Sequence, residues 1–167
     1  ANALALWNVP VSYCSAMPKG FFFDNIKKHL ALQNIDISPI IDFGNRMGVY
    51  YLEQGSDVKN ANIIFDRENS SFSNLKVGMI DWRTILKDCQ WFHFSAIAAS
   101  LTLNAFEVCL EALKVAKEMN ITISIDLNYR SKLWNYGKLP TEIIPELVSY
   151  CDVVMGNIWA VEKMLGI

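Results

Sequence analysis

The stretch ITISIDLNYR, residues 121–130, decides the fold class of this 167-residue chain. Its apolar first half follows a helix-like segment, an order typical of a strand buried in a parallel sheet. Asp126, Asn128 and Arg130 come at the carboxyl end of that strand, where open α/β sheets bind their ligands. An arginine in this place can hold a carboxylate or a phosphate through two parallel N–H donors. We therefore expect the functional site at this end of the predicted strand.

Helical and extended patterns alternate on both sides of this stretch. Apolar residues recur at helical spacing, for example at Phe106, Cys109 and Leu113. Strands that alternate with helices predict right-handed parallel crossovers. The expected fold is therefore α/β, a doubly wound and mostly parallel sheet flanked by helices. The predicted strands are 11–17, 91–97, 121–127 and 153–155, and the predicted helices are 2–7, 22–34, 82–89, 104–119 (capped by Asn104), 140–150 and 159–165.

This alternation is interrupted between residues 40 and 67. Three short extended segments, 40–43, 48–53 and 61–67, follow one another without helices between them. Consecutive strands of this kind predict antiparallel pairing in a small sheet that stands apart from the main one.

Composition excludes several classes of protein. Hydrophobic residues make up 52% of the chain, which predicts one folded domain with a real core and argues against disorder. A formal net charge of −2 gives no electrostatic case for a nucleic acid or a membrane surface as partner. Two histidines are too few for a zinc cluster, and four scattered cysteines predict free thiols in a reducing compartment. We expect a cytoplasmic protein that neither binds nucleic acid nor enters a membrane.

Six short motifs, in order along the chain, resemble those of the ribokinase-like (PfkB) carbohydrate kinases, above all the 2-keto-3-deoxygluconate kinases. The string DLNYR at 126–130 with LW at 133–134 resembles the family's D-x-N-Y-R…L-W and is the most specific of the six. Of the other five, NA at 2–3 resembles the end of the N-terminal sugar site, and NID at 34–36 resembles G-V-D. MGVY at 47–50 resembles T-G-x-Y, FDRENSS at 65–71 resembles Y-x-R-x-x-S-A, and FHFSAI at 92–97 resembles L-H-x-S-G-I.

The resemblance implies a kinase that transfers the γ-phosphoryl group of ATP to a sugar hydroxyl, with Mg²⁺ neutralising the phosphates. It identifies the segment at about 40–67 as a β lid over the sugar, through which a homodimer could form. Paired arginines further predict an anionic sugar such as 2-keto-3-deoxygluconate, because a carboxylate binds guanidinium groups well. The implied substrate contacts are Asn2, Tyr50, Arg67, Ile97 and Arg130, with Asn128 and Asn157 on the nucleotide side and Asp126 orienting Arg130 or capping the next helix.

Departures from the family pattern limit these assignments. The Gly-Ala-Gly-Asp motif that carries the family's catalytic base does not occur in the sequence, so no catalytic residue is assigned. We expect the chain to be an excerpt, cut at both ends, that lacks the ATP-binding half and does not turn over alone. Ala160 takes the place of the glutamate in the family's Asn-x-x-Glu motif, so no metal ligand is assigned either. Phe65 stands where the keto-acid kinases often have tyrosine.

Two other functions stay open at this point. A catalytically inactive sugar-binding or regulatory protein on the same fold would also fit the missing base motif and Ala160. A nicotinamide-dependent dehydrogenase would need a Gly-x-Gly-x-x-Gly turn, which the sequence does not contain. Structural roles also compete for single residues: His93 is predicted to be a hydrogen-bonded core histidine, and Trp7, Trp82, Trp91 and Trp159 are predicted to lie in the core or an interface.

Overall fold

The structure, a computed structural model, describes residues 1–52 and 63–167. The ends of two predicted strands, residue 53 and residues 61–62, lie outside the described ranges. A 3₁₀ turn at Ser131–Leu133 lies between β6 and α6. In chain order the helices and strands are α1 (Asn2–Leu6), β1 (Ser15–Met17), α2 (Phe21–Leu32), β2 (Ile40–Asp42), β3 (Val49–Leu52), β4 (Ile63–Asp66), α3 (Trp82–Leu86), β5 (Trp91–Ser95), α4 (Ala96–Ala99), α5 (Leu103–Glu118), β6 (Thr122–Asp126), α6 (Pro140–Val148), β7 (Val153–Met155) and α7 (Ile158–Leu165).

The largest sheet contains β5, β6 and β7, which are parallel, with β6 in the middle. Its register pairs Ser95 with Asp126, so the carboxyl ends of β5 and β6 lie side by side. Ile123 and Ile125 of β6 are fully buried, and α5 packs against this strand through a face that includes Leu113. The predicted α/β class with parallel strands and flanking helices is therefore confirmed.

The segment 40–43 does not belong to the small antiparallel sheet, and that prediction is wrong. β2 pairs in parallel with β1, with Ser15 opposite Ile40 and Met17 opposite Asp42. The physical reason is that α2 lies between these two strands in the chain. β1, α2 and β2 form a βαβ unit, whose connection returns the second strand beside the first in parallel.

The small antiparallel sheet consists of β3 and β4, which we call the lid. Val49 lies opposite Asp66, and Leu52 lies opposite Ile63. At the root of the lid the Arg46 guanidinium pairs with the Asp66 carboxylate. The antiparallel pairing predicted for the two later segments is thus confirmed within the described residues.

Two local predictions between residues 91 and 104 are wrong. The strand predicted over 91–97 ends at Ser95, because the Ser95 side chain accepts the N–H of Ile97 and begins the short helix α4. The cap of α5 is Thr102, not Asn104: the Thr102 Oγ1 atom accepts the Ala105 N–H at 3.1 Å. An N-cap hydroxyl satisfies one of the free N–H groups of the first turn, and Asn104 lies two residues beyond the cap, inside that turn.

The remaining predictions concern thiols, tryptophans and membrane spans. All four cysteines are free, with Cys109 buried and the others partly buried. Trp82 belongs to the core, whereas Trp7, Trp91 and Trp159 each expose half or more of their surface. In the described part of the chain, no helix has the length and apolar character that a bilayer crossing requires.

Candidate functional site

A cleft of about 290 Å³ opens at the carboxyl end of β6, beneath the lid. Three parts of the chain form it: β4 of the lid, the loop that follows β6, and the first turn of α7. Two of its lining residues are cationic and none is acidic. The residues that line it are Ile63, Phe65, Tyr129, Arg130, Ser131, Lys132 and Trp159.

The loop that follows β6 owes its course to a tight turn at Asp126 and Asn128. The Asp126 Oδ1 atom accepts the Asn128 N–H at 3.2 Å, and Asn128 has a left-handed backbone with φ of 35°. Asparagine and aspartate are suited to such turns, because their short side chains bond to nearby backbone groups. The Arg130 Nη1 atom donates to the Tyr129 carbonyl at 2.9 Å. In this structure Asp126 therefore shapes the turn that leads to Arg130, and its predicted role in orienting Arg130 or capping the next helix stays a prediction.

One face of the lid is directed to the cleft. Tyr50 lies opposite Phe65 across the two strands, and side chains directly opposite each other share a face. Phe65 and Ile63 line the cleft, so Tyr50 belongs to the same face. The Arg67 guanidinium lies over the Phe65 ring, 5.1 Å from its centroid, which continues this face beyond the end of β4.

Arg67 lies near enough to Tyr50 and Arg130 for both to affect the pKa of its guanidinium group. Burial lowers the pKa of the half-buried Arg67 guanidinium, the Tyr50 phenol opposes that shift, and the positive charge of Arg130 adds to it. Two guanidinium groups near enough for one to lower the pKa of the other repel each other, and an anion placed between them relieves the repulsion. The arrangement can therefore bind an anionic group between lid and loop.

An aromatic pair forms another part of the cleft wall. The rings of Tyr129 and Trp159 meet edge to face, with centroids 4.9 Å apart. Such a surface suits the C–H faces of a sugar or another partly apolar ligand. The sequence reading did not assign Ile63, Lys132 or Trp159 to the site. One feature of the sequence could have pointed to Trp159 as a site residue: it lies two residues after Asn157, within the motif that resembles Asn-x-x-Glu.

Three predicted contacts lie elsewhere. Asn157 caps α7, because its Oδ1 atom accepts the Ala160 N–H at 2.8 Å. The Ile97 N–H is directed to the Ser95 Oγ atom at 3.4 Å. Asn2 is exposed in α1. Among the described residues that line the cleft, Arg130 is the one predicted site residue, so the predicted roles of Asn2, Ile97 and Asn157, like those of Tyr50, Arg67, Asp126 and Asn128, stay predictions.

His93 is exposed, and the prediction of a core histidine is wrong. Its Nδ1 atom lies 2.8 Å from Ser124 Oγ, which also accepts the Trp91 Nε1–H at 2.7 Å. The indole can only donate, whereas the serine hydroxyl can donate to the histidine or accept from it, according to the tautomer of the ring. His93 is hydrogen-bonded as expected, but it lies on the open face of the sheet because β5 alternates its side chains between the two faces.

The described residues contain no cluster of side chains that could by itself hold a metal ion. No group of three or more His, Cys, Asp or Glu side chains in residues 1–52 and 63–167 could hold one. At the position where the resemblance implies a glutamate, Ala160 is buried and its N–H is used by the Asn157 cap. Mg²⁺ therefore has no assigned ligand in this part of the chain.

Comparison with known proteins assigns the family. The model of the pfkB family of carbohydrate kinases matches residues 1–167, so the chain belongs to that family. It is 36% identical over 90 residues to 2-dehydro-3-deoxygalactonokinase of Haloferax volcanii, a match that covers 54% of this chain and 28% of that protein.

Two solved structures share the fold. The crystal structure of 2-dehydro-3-deoxygluconokinase from Thermotoga maritima is 33% identical, with a TM-score of 0.91 over 99% of this chain and 51% of that one. A PfkB family carbohydrate kinase from Listeria grayi is 27% identical, with a TM-score of 0.90 over 100% of this chain and 52% of that one. The chain thus spans about half the length of the solved structures it matches.

Proposed function

We propose that the cleft binds a sugar acid of the 2-keto-3-deoxygluconate type and that the chain is the sugar-binding and lid half of an ATP-dependent sugar kinase. The observation that carries this proposal is the placement of Arg130 in the lining of a cleft without a carboxylate, with Arg67 over the ring of Phe65, which lines the same cleft. A neutral sugar would leave both charges without a partner, whereas a carboxylate accepts hydrogen bonds from both guanidinium groups.

The remaining surface of the cleft agrees with a keto acid of this type. Tyr50 brings a phenol that can donate to or accept from a sugar hydroxyl. Phe65, Tyr129 and Trp159 supply aromatic surface, which suits the methylene group of a deoxy sugar better than a further hydroxyl. Two relatives of the chain are named as kinases of 2-dehydro-3-deoxy sugar acids, which supports the same substrate class.

The phosphoryl donor in this proposal is ATP with Mg²⁺, and only the acceptor side is assigned to described residues. Asn128 and Asn157 lie at the ends of β6 and β7, on the proposed nucleotide side. The Asn157 oxygen already caps α7, so its amide nitrogen is the group left to face a phosphate. We propose no general base within the chain, because the sequence carries no Gly-Ala-Gly-Asp motif.

Isothermal titration of the purified chain tests the acceptor proposal. We expect 2-keto-3-deoxygluconate to bind on the order of 10- to 100-fold more tightly than fructose, a neutral ketose, as charge-assisted hydrogen bonds to one carboxylate imply. Equal affinity for the two sugars, or binding of neither, would overturn the proposal.

An assay of ADP release separates the kinase from an inactive sugar-binding protein. We expect no release from the pure 167-residue chain with ATP, Mg²⁺ and the sugar acid, and release from the complete gene product. Tight binding without ADP release by the complete gene product would instead favour the inactive alternative.

A further inference from the structure

The lid buries little surface of its own, so its position depends on contacts at its two ends. All four residues of β3 are exposed, and Ile64 in β4 exposes 63% of its surface. An isolated two-stranded hairpin is marginally stable in water. The contacts at each end of the lid therefore determine its position over the cleft.

At its root the lid is fixed by Arg46. The guanidinium pairs with Asp66 and donates to the Glu68 carbonyl. The Arg46 carbonyl in turn accepts the Ser71 N–H at 2.7 Å and the Ser71 Oγ–H at 2.9 Å. These bonds join the chain before β3 to the chain after β4. None of them contacts the opposite end of the lid, so they do not fix how far that end lies from the cleft.

At the opposite end the Lys132 ammonium group donates to the Ile63 carbonyl at 3.3 Å. Ile63 is the first residue of β4 and lies opposite Leu52, at the end of the hairpin away from Arg46. Lys132 and Ile63 both line the cleft. Their hydrogen bond therefore crosses from the loop after β6 to the lid at the edge of the site.

The loop holds the backbone of Lys132 in a defined place. Lys132 is the middle residue of the 3₁₀ turn, whose next residue, Leu133, is buried and donates its N–H to the Arg130 carbonyl at 3.1 Å. The Asn135 side chain donates to the Lys132 carbonyl at 2.9 Å. Because the backbone is anchored, the lysine side chain transmits the position of the loop to the lid.

We propose that Lys132 is a positioning residue that holds the lid over the cleft and so keeps Arg67 opposite Arg130. It acts on the ligand through the lid and need not touch it. What the lid covers rests on the proposed function, whereas the tether itself does not. In a kinase this tether would also help to keep water from the transferring phosphoryl group.

Hydrogen exchange of the ligand-free chain, read by mass spectrometry, tests the tether. The variants are Lys132→Met, the conservative Lys132→Arg, and the control Lys138→Met. Lys138 pairs with Glu142, four residues further along the chain, and its loss leaves the bond between Lys132 and the lid in place. The readout is the exchange rate of lid amides divided by that of β6 amides, so a general loss of stability cancels.

We expect this ratio to rise about three- to tenfold in Lys132→Met, the range that one net hydrogen bond spans. It should stay unchanged in Lys138→Met and return toward the wild-type value in Lys132→Arg. An unchanged ratio in Lys132→Met, or an equal rise in Lys138→Met, would overturn the proposal.

Titration with 2-keto-3-deoxygluconate separates this proposal from the proposed function. If the lid positions Arg67, affinity should fall in Lys132→Met, by at most the factor by which lid opening rises, because only the chain with its lid in place binds tightly. A faster lid with unchanged affinity would overturn the link between lid position and binding. If lid amides exchange faster in Lys132→Met but the wild-type chain binds no sugar acid, the proposed function is overturned and the tether is supported.

Discussion

Replacing Gly156 by alanine tests how β7 supports the cleft. Gly156 joins β7 to α7, and an added Cβ would lie 3.0 Å from Leu127 Cδ1, 3.2 Å from its Cβ and 3.3 Å from its Cγ. Leu127 is fully buried, and its N–H donates to the Met155 carbonyl at 2.8 Å. The leucine therefore cannot yield without moving the backbone that leads to Tyr129 and Arg130.

The size of the effect follows from two opposing terms. Overpacking a filled site costs about 1–3 kcal/mol. Alanine also restricts the unfolded chain, which returns about 0.4–1 kcal/mol. We expect Gly156→Ala to lower the free energy of unfolding by about 1.3 kcal/mol, the difference between the midpoints of those two ranges. Leu127→Ala removes Cδ1 and Cγ, two of the three crowded atoms, and alone should cost about 2–5 kcal/mol.

A double-mutant cycle with urea unfolding at pH 7 measures the clash itself. The double variant should be more stable than the sum of the single effects by about 1 kcal/mol, since the clash is largely gone. Gly78→Ala is the control: its φ of +82° makes alanine costly there, but no atom lies within 4 Å of the added Cβ. That control should add to Leu127→Ala without coupling. Additivity of Gly156→Ala with Leu127→Ala, within about 0.3 kcal/mol, would refute the reasoning.

Three further predictions concern thiols, acid stability and self-association. Burial raises the pKa of Cys14 from 9.0 to about 11, so its thiolate fraction at pH 8 should be about 100-fold below that of an ordinary thiol. Its rate of reaction with Ellman's reagent should be lower by the same factor and should rise tenfold per pH unit up to pH 10. A rate in the folded chain equal to the rate in urea would contradict this. The Ile123 N–H, then Lys117, lower the pKa of Asp152 below its ordinary value near 3.8, so its stabilising effect is full above pH 4 and is lost as the pH falls further. Asp152→Asn should therefore lower the urea midpoint more at pH 7 than at pH 2.5, and an equal loss at both would count against it. Ile64 lies on the lid face opposite the cleft and is exposed, so if two copies pair through the lid, Ile64→Lys should shift a dimer to monomer in light scattering, whereas a dimer that persists would place the interface elsewhere.

The carboxyl end of β6 could be predicted from sequence because the information there is local. An apolar run, a helix before it and a polar segment after it are enough to define a buried parallel strand. The short spacing from Asp126 to Arg130 then limits where the polar groups can lie. Arg130 lines the cleft at this end of β6, whereas the substrate contacts predicted for Tyr50 and Arg67 stay predictions.

Other features depended on contacts between distant parts of the chain. The segment 40–43 has the length and composition of a lid strand, and only its pairing with β1 places it elsewhere. Lys132 is indistinguishable in sequence from a solvated lysine, since its bond reaches Ile63, 69 residues away. The alternation of β5 allowed His93 to face either side of the sheet, and the packing of Phe92 and Phe94 against the core decided the outcome.

The most direct test of the account is the affinity of Arg130→Ala for a sugar acid and for a neutral sugar. Titrated against wild type, the variant should bind 2-keto-3-deoxygluconate on the order of 10- to 100-fold more weakly and fructose almost unchanged, because the guanidinium pairs with the carboxylate alone. The complete gene product should show the same contrast in KM. Equal losses for both sugars would mean that Arg130 supports the fold or holds a phosphate, and the assignment of the cleft to a sugar acid would fail.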